Sequence, residues 1–372
     1  MKISGKKEII TVTKPSLPPL EEMMTSLKDI WENRWLTNNG KYHQEFEQKL
    51  AEFLGVPYVS LFANGTIALL TALKALDVKG KVITTPYTFV ATTHALMWNN
   101  LEPVFVDTDE YGNISVAKIE EAITEEVSAI LPVHVYGNPC DTHGIKRITE
   151  QYGLKVIYDA AHAFGVEVDG KSLLLEGDLS VLSFHATKVF NTFEGGAIVC
   201  HTKEMKRHID DLKNFGFRDE VTISEVGING KMNEFQAALG LLQLKYVKRQ
   251  IQARKEITAL YREKLKDVKG IGFFKDIEGV KHNYAYFPIF ITQDYPHSRD
   301  ELYNQLRTNG VYARRYFYPL ISNLDMYKNM RGAGRENLIT ANKLSDSVIC
   351  LPLYEGLQEE TVENICKIIM DV

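Results

Sequence analysis

Cysteine is scarce in this chain. Four occur in 372 residues, Cys140, Cys200, Cys350 and Cys366, far apart and without metal-ligand spacing. That pattern excludes a disulfide scaffold and predicts buried, reduced thiols and no metal centre. Long apolar runs are lacking too. Nowhere do about eighteen apolar residues follow one another, so no membrane-spanning helix is expected. Residues 1–19 contain lysines but no apolar stretch able to serve as a signal-peptide core, and a cytoplasmic location is expected. Nor is there an excess of positive charge: 43 Lys and Arg face 48 Asp and Glu, a formal net charge of −5. Such a balance offers no general attraction to nucleic acid or to an anionic membrane. It leaves phosphate sites open, because these depend on local donors. No internal repeat or low-complexity segment interrupts the chain.

What is present is an ordinary globular composition, 45% hydrophobic and 24% charged, with length for roughly two domains. Between about residues 58 and 201, short apolar runs (81–85, 102–107, 128–134, 154–159, 179–184 and 196–201) alternate with amphipathic stretches (67–76, 115–123 and 143–152). The runs are rich in Val and Ile and mostly unalternating, as in strands covered on both faces. Strand–helix alternation predicts an α/β fold with a mostly parallel sheet sandwiched by helices. A long helical stretch over 233–265 follows. Strand-like runs at 284–292, 310–317 and 348–354 then predict a smaller C-terminal α+β domain. The expected division is 1–245, a large domain that includes the N-terminal segment, and 246–372, a small one.

In open α/β sheets, ligands gather beyond the carboxyl ends of the strands, and chemistry-bearing residues fall there. Asp159 closes one run, in Asp159-Ala160-Ala161-His162-Ala163-Phe164-Gly165. Ser183 and His185 close the next, ahead of Lys188. Asn64-Gly65-Thr66 opens a helix and offers free N–H groups and a hydroxyl, a suitable phosphate cradle. Taken singly, each has a structural explanation as a turn residue, an N-cap, a core histidine or a solvated lysine. Their convergence at successive strand ends is what those explanations leave out. A carboxylate, a lysine and a phosphate cradle together suit pyridoxal 5'-phosphate, which needs an acid at its pyridine nitrogen, an amine for its aldehyde and donors for its phosphate. That amine must lose its proton near neutral pH, through desolvation or nearby positive charge.

These residues resemble a known family. The spacing from Asp159 to Lys188, followed by Glu194-Gly195-Gly196, is similar to that of the DegT/DnrJ/EryC1/StrS nucleotide-sugar aminotransferases. So are Pro86-Tyr87-Thr88-Phe89-Val90-Ala91-Thr92 and Gly227-Ile228-Asn229-Gly230-Lys231-Met232-Asn233-Glu234. The resemblance covers about residues 35–354. It implies a PLP enzyme of the aspartate-aminotransferase fold (fold type I), with pyridoxamine 5'-phosphate as the cofactor's amino form. Lys188 would be its covalent anchor and proton carrier, and Asp159 the partner of the pyridine nitrogen. His162 would meet the ring hydroxyl and Phe89 stack on the ring. Gly65, Thr66 and Ser183 would hold the phosphate, with Asn229 reaching it from a second subunit, so a homodimer is implied. Two positions depart from the commoner pattern. His162 stands for a frequent glutamine, and Lys231 for a frequent arginine, losing its planar fork.

Within the family, Phe184-His185-Ala186-Thr187-Lys188 and Thr192-Phe193-Glu194-Gly195-Gly196 look most like the enzymes that aminate C4 of dTDP-4-keto-6-deoxyglucose with L-glutamate. Relatives that aminate C3 more often carry a Tyr-Pro-Gly-Lys lysine motif. The stretch from Arg314 and Arg315 to Tyr318 resembles the sugar-nucleotide side of the C4 enzymes. Its two arginines could meet a diphosphate or be a solvated pair on a strand, and both readings stay open. His185 and Lys231 are further substrate-side candidates. Sugar dehydratases of this fold carry histidine where this chain has Lys188. A desulfurase would need a cysteine in a mobile loop, and a regulator would need a nucleic-acid-binding signal; neither is evident.

Overall fold

In a computed structural model, residues 9–371 are described. The central sheet has seven strands: β1 (Tyr58–Phe62), β2 (Lys81–Thr84), β3 (Glu102–Phe105), β4 (Val127–Leu131), β5 (Lys155–Asp159), β6 (Leu179–Ser183) and β7 (Gly196–Cys200). Their spatial order is β1-β7-β6-β5-β4-β2-β3. All neighbours are parallel except β7, which runs antiparallel to both β1 and β6. Every expected run between residues 81 and 201 became a strand, most of them trimmed by a residue or two, and the run at 128–134 by three at its end with one added at its start. Their interiors, such as Val82-Ile83 and Ile130-Leu131, are fully buried, because helices cover both faces.

Those helices include α1 (Leu20–Asn33), α2 (Lys41–Leu54), α3 (Gly65–Ala75), α4 (Val90–Trp98), α5 (Val116–Ala122), α6 (Thr142–Tyr152) and α7 (Lys203–Leu212). The long stretch is one helix, α8 (Glu234–Leu265), opened by a reciprocal capping box between Asn233 and Gln236. Along α8 the packing partner changes. Ala237 and Val247 join the core around Phe46, Phe164 and Phe184, whereas Ile257, Tyr261 and Leu265 join a second core. That second core is built on an antiparallel sheet of β8 (Ile271–Gly272), β9 (Phe287–Ile291) and β10 (Val348–Leu351). It is flanked by α9 (Arg299–Thr308) and α10 (Glu359–Met370).

Two features differ from the sequence expectation. The run at 310–317 is a strand only at Val311–Tyr312. Beyond it the chain makes only an isolated bridge, Arg314 to Cys350, and then turns, burying Phe317 among the rings of Tyr87, Tyr136 and His162. Aromatic packing overrides the strand-like run there. Ile10–Thr11 also pair with Val311–Tyr312 in parallel, tying the N-terminal segment to the C-terminal part. All four cysteines are buried and free, as expected.

Candidate active site

The carboxyl ends of β2, β5 and β6 and the N-terminus of α3 meet around a cavity of about 550 Å³. Each wall has a local cause. Asn64 caps α3 by accepting from the Ile67 N–H at 2.9 Å. A helix start leaves its first N–H groups without intrahelical partners, here those of Gly65 and Thr66, which line the cavity. Gly65 cannot be larger. A Cβ there would lie 2.9 Å from the Ser183 Cβ, so its absence lets the end of β6 close against the start of α3. Gly196 does the same from the antiparallel strand, since its Cβ would meet the Asn64 carbonyl carbon at 2.7 Å. Gly196, the second glycine after Glu194, is therefore a packing requirement of the cradle.

Asp159 ends β5 and is 5% exposed. Its Oδ2 accepts from Thr92 Oγ1 at 2.8 Å and its Oδ1 from the Ala161 N–H at 3.1 Å. Thr92 Oγ1 is in turn 3.0 Å from Thr88 Oγ1. Burial pushes the carboxyl pKa up, against the pull of Thr92, Ala161 and Lys188. Two of the carboxylate's roughly four acceptor sites are used, which leaves capacity for a cationic ring N–H. Lys188 is half-buried in the turn after β6. Desolvation lowers its pKa to about 8, with Asp159 opposing.

His162 receives the Tyr136 N–H at Nδ1, 3.1 Å away. A backbone N–H only donates, so Nδ1 is unprotonated and a neutral ring carries its proton on Nε2. Burial and the Lys188 charge hold the pKa of His162 well below its usual range. His162 is thus a fixed neutral donor. Phe89, 57% exposed, and His185 complete the near walls. His185 bonds Thr187 Oγ1 at 2.8 Å and lies 3.6 Å from Glu194 Oε1.

Lys188, Asp159, Gly65, Thr66, Phe89, His162, Ser183 and His185 all line this one cavity. Asn229, Lys231, Arg314, Arg315 and Tyr318 are not among its walls. Asn229 is exposed, bridged through its backbone to Asn214. Lys231 lines a different cavity, 2.7 Å from Asn214 Oδ1. Arg314 is exposed, while Arg315 pairs with Asp300 at 2.8 Å and lies over the rings of Tyr303 and Tyr318. Sequence reasoning missed Thr92, although it stands in the quoted Pro86 to Thr92 motif, in the first turn of α4. It also missed Tyr286, which has no local signature, and Tyr316 and Phe317, which stand inside the singled-out stretch from Arg314 to Tyr318; all three reach the cavity from the C-terminal part.

The profile of the DegT/DnrJ/EryC1/StrS aminotransferase family matches residues 20–370. The chain belongs to that family. It is 54% identical to a dTDP-4-amino-4,6-dideoxy-D-glucose transaminase of Shigella dysenteriae, over 98% of this chain and 99% of the relative. A protein of the same name from Escherichia coli is 52% identical over 97% and 98%. Among solved structures, one of DesI in the presence of its TDP-sugar product superposes with a TM-score of 0.93 at 32% identity, covering 98% of this chain and 93% of that one. The protein is an aminotransferase, and its cofactor is pyridoxal 5'-phosphate. The cavity fits that group. A partly satisfied buried carboxylate, a desolvated lysine and a glycine-permitted helix start occupy one space. Among the described residues, no helix is long and apolar enough to cross a membrane.

Proposed function

We propose that this chain transfers the amino group of L-glutamate to C4 of dTDP-4-keto-6-deoxyglucose, giving dTDP-4-amino-4,6-dideoxyglucose and 2-oxoglutarate. The observation that carries the chemistry is the desolvated Lys188 amine sharing a cavity with Asp159. The substrate is inferred from the names of two relatives more than half identical over nearly their whole length. When bound, pyridoxal phosphate supplies an aldehyde for the amine and an electron sink for the substrate carbon.

The chain's own groups divide the remaining work. With a pKa of about 8, roughly a tenth of Lys188 is neutral at pH 7, enough to attack or take up a proton at Nζ. Asp159 favours a protonated pyridine nitrogen, and Thr92 holds the carboxylate in one orientation. The His162 Nε2–H is available to donate to a ring oxygen. Gly65, Thr66 and Ser183 surround the phosphate with donors. Phe89 provides a ring face, and His185 stands on the substrate side.

The working unit in this proposal is a homodimer, with Asn229 and Lys231 serving the partner's site and Arg314, Arg315 and Tyr318 meeting the sugar nucleotide. The apolar side chains exposed from Phe215 to Ile228 support it, because a monomer rarely leaves such a group uncovered. A division of the chain near residue 245 belongs to the same reading. The change of core along α8 supports it, and the pairing of Ile10–Thr11 with Val311–Tyr312 means that no single cut separates the units.

The test is incubation of the holoenzyme with L-glutamate and dTDP-4-keto-6-deoxyglucose, followed by NMR of the sugar product. An amine on C4 is expected. An amine on C3 would overturn the regiochemistry, and an unchanged sugar would overturn the substrate.

A further inference from the structure

A second cavity, of about 260 Å³, shares Tyr286 with the first and is formed by one side of α8, by Tyr136 and Asn138, and by the 273–288 stretch. Four of its lining residues carry a buried side-chain polar atom that pairs with nothing among the described residues: Asn138 Nδ2, Thr258 Oγ1, Arg262 Nε and His282 Nε2. Asn138 and Thr258 are only 8% and 4% exposed. Buried polar atoms are nearly always hydrogen-bonded, and native domains hold few exceptions. Four around one cavity point to a shared guest.

The chemistry of the four atoms has one sign. An amide NH₂ and a guanidinium Nε–H donate only. His282 accepts the Tyr284 N–H at Nδ1, 2.8 Å away, so the proton of the neutral ring is on Nε2, another donor. Burial keeps that ring neutral, lowering its pKa to about 4. The Thr258 hydroxyl donates or accepts. Three cations, Lys255, Arg262 and Lys275, line the cavity with one acid, Asp276. Asp276, with its side chain 78% exposed, pairs with Arg262 Nη1 at 2.7 Å, and the lining keeps three cations to one acid, a balance that favours an anion. Arg262 Nη2 bonds the Phe274 carbonyl, which leaves Nε as the guanidinium nitrogen without a partner.

We infer that this cavity is a second ligand site, specific for a small oxyanion, a carboxylate or a phosphate, held by Asn138, Thr258, Arg262 and His282. Its occupant rests against a wall shared with the active site. Tyr286 lines both cavities, and the Tyr136 N–H holds His162.

The holoenzyme, with cofactor bound, is melted in chloride buffer during titration with malonate and, separately, inorganic phosphate, at ionic strength matched with NaCl. A saturable rise in Tm of about 2 °C beyond the chloride control is expected near ten times the Kd. A rise with malonate alone assigns a carboxylate, and one with phosphate alone assigns a phosphate. Two near-isosteric variants locate the site. Thr258→Val removes the hydroxyl, and Asn138→Asp replaces the donor with a negative charge, so both should abolish the rise. Using two keeps the test decisive if one fails to fold. No rise beyond chloride in the wild type, or an undiminished rise in a folded variant, would overturn the proposal and leave the four atoms to water.

Discussion

At the scale of single residues, the site carries an electrostatic penalty before its cofactor arrives. Burial lowers the pKa of Lys188 to about 8 and raises that of Asp159, so each charged form is disfavoured. The sign for Lys188 follows from linkage. Between about pH 8 and 10.5 the unfolded lysine holds a proton that the folded one has lost, so stability rises with pH across that window. Below it the penalty is complete. Urea denaturation of the cofactor-free protein should therefore show a wild-type gain from pH 8 to 10 that Lys188→Met lacks. Coincident pH curves for the two would mean that the amine is not desolvated. Transamination should be lost in Lys188→Met. Thr92 acts through Asp159: Thr92→Val removes the 2.8 Å hydrogen bond and leaves the carboxylate with one donor. One such bond is worth about 1–1.5 kcal/mol, or roughly tenfold in rate. The kcat should fall by about that factor, the pH titration of the bound cofactor's visible band should shift, and Thr92→Ser should restore both.

At the scale of elements, the cradle is a contact between α3 and two strands that only glycine allows. In Gly65→Ala the new methyl meets the Ser183 side chain at 2.9 Å, so the helix start must move away from the end of β6. Equilibrium dialysis should show cofactor affinity weakened about 5- to 150-fold while the protein stays folded, since the strain of one extra carbon is about 1–3 kcal/mol. Unchanged affinity would remove α3 from the phosphate site. Gly196→Ala pushes against the Asn64 and Gly65 backbones and should damage folding more than binding. This level was the most legible from sequence. Val- and Ile-rich runs mark buried strands, and strand ends mark the site, because both are local consequences of covering a sheet on two faces. Glu234 was less legible. It stands in a quoted motif, yet its carboxylate accepts the Tyr42 and His43 N–H groups at 2.8 and 3.1 Å, capping α2 from almost two hundred residues away. The aromatic wall of Tyr286, Tyr316 and Phe317, and the pairing of Ile10 with Val311, are likewise tertiary events that no local pattern encodes.

At the scale of the whole molecule, five candidate residues stand outside the cavity of their own chain, and a homodimer gives Asn229 a use. It lies just after an exposed apolar segment in which Val221 and Val226 are 87% and 85% exposed. If that segment crosses to a partner, Asn229 reaches the partner's phosphate, and each active site draws on two chains. Lys188→Ala and Asn229→Asp then damage a site from opposite sides. Asp is chosen because its charge repels the cofactor phosphate. In a mixed dimer, one site receives both lesions and the other receives neither. Each variant alone should be folded, dimeric and inactive, and the co-expressed pair should recover activity approaching half the wild-type value per mixed dimer. Native mass spectrometry counts the mixed species, so recovery can be normalised to them. Mixed dimers without recovered activity would place Asn229 in the service of its own chain, and a monomeric wild-type enzyme would remove the shared site altogether.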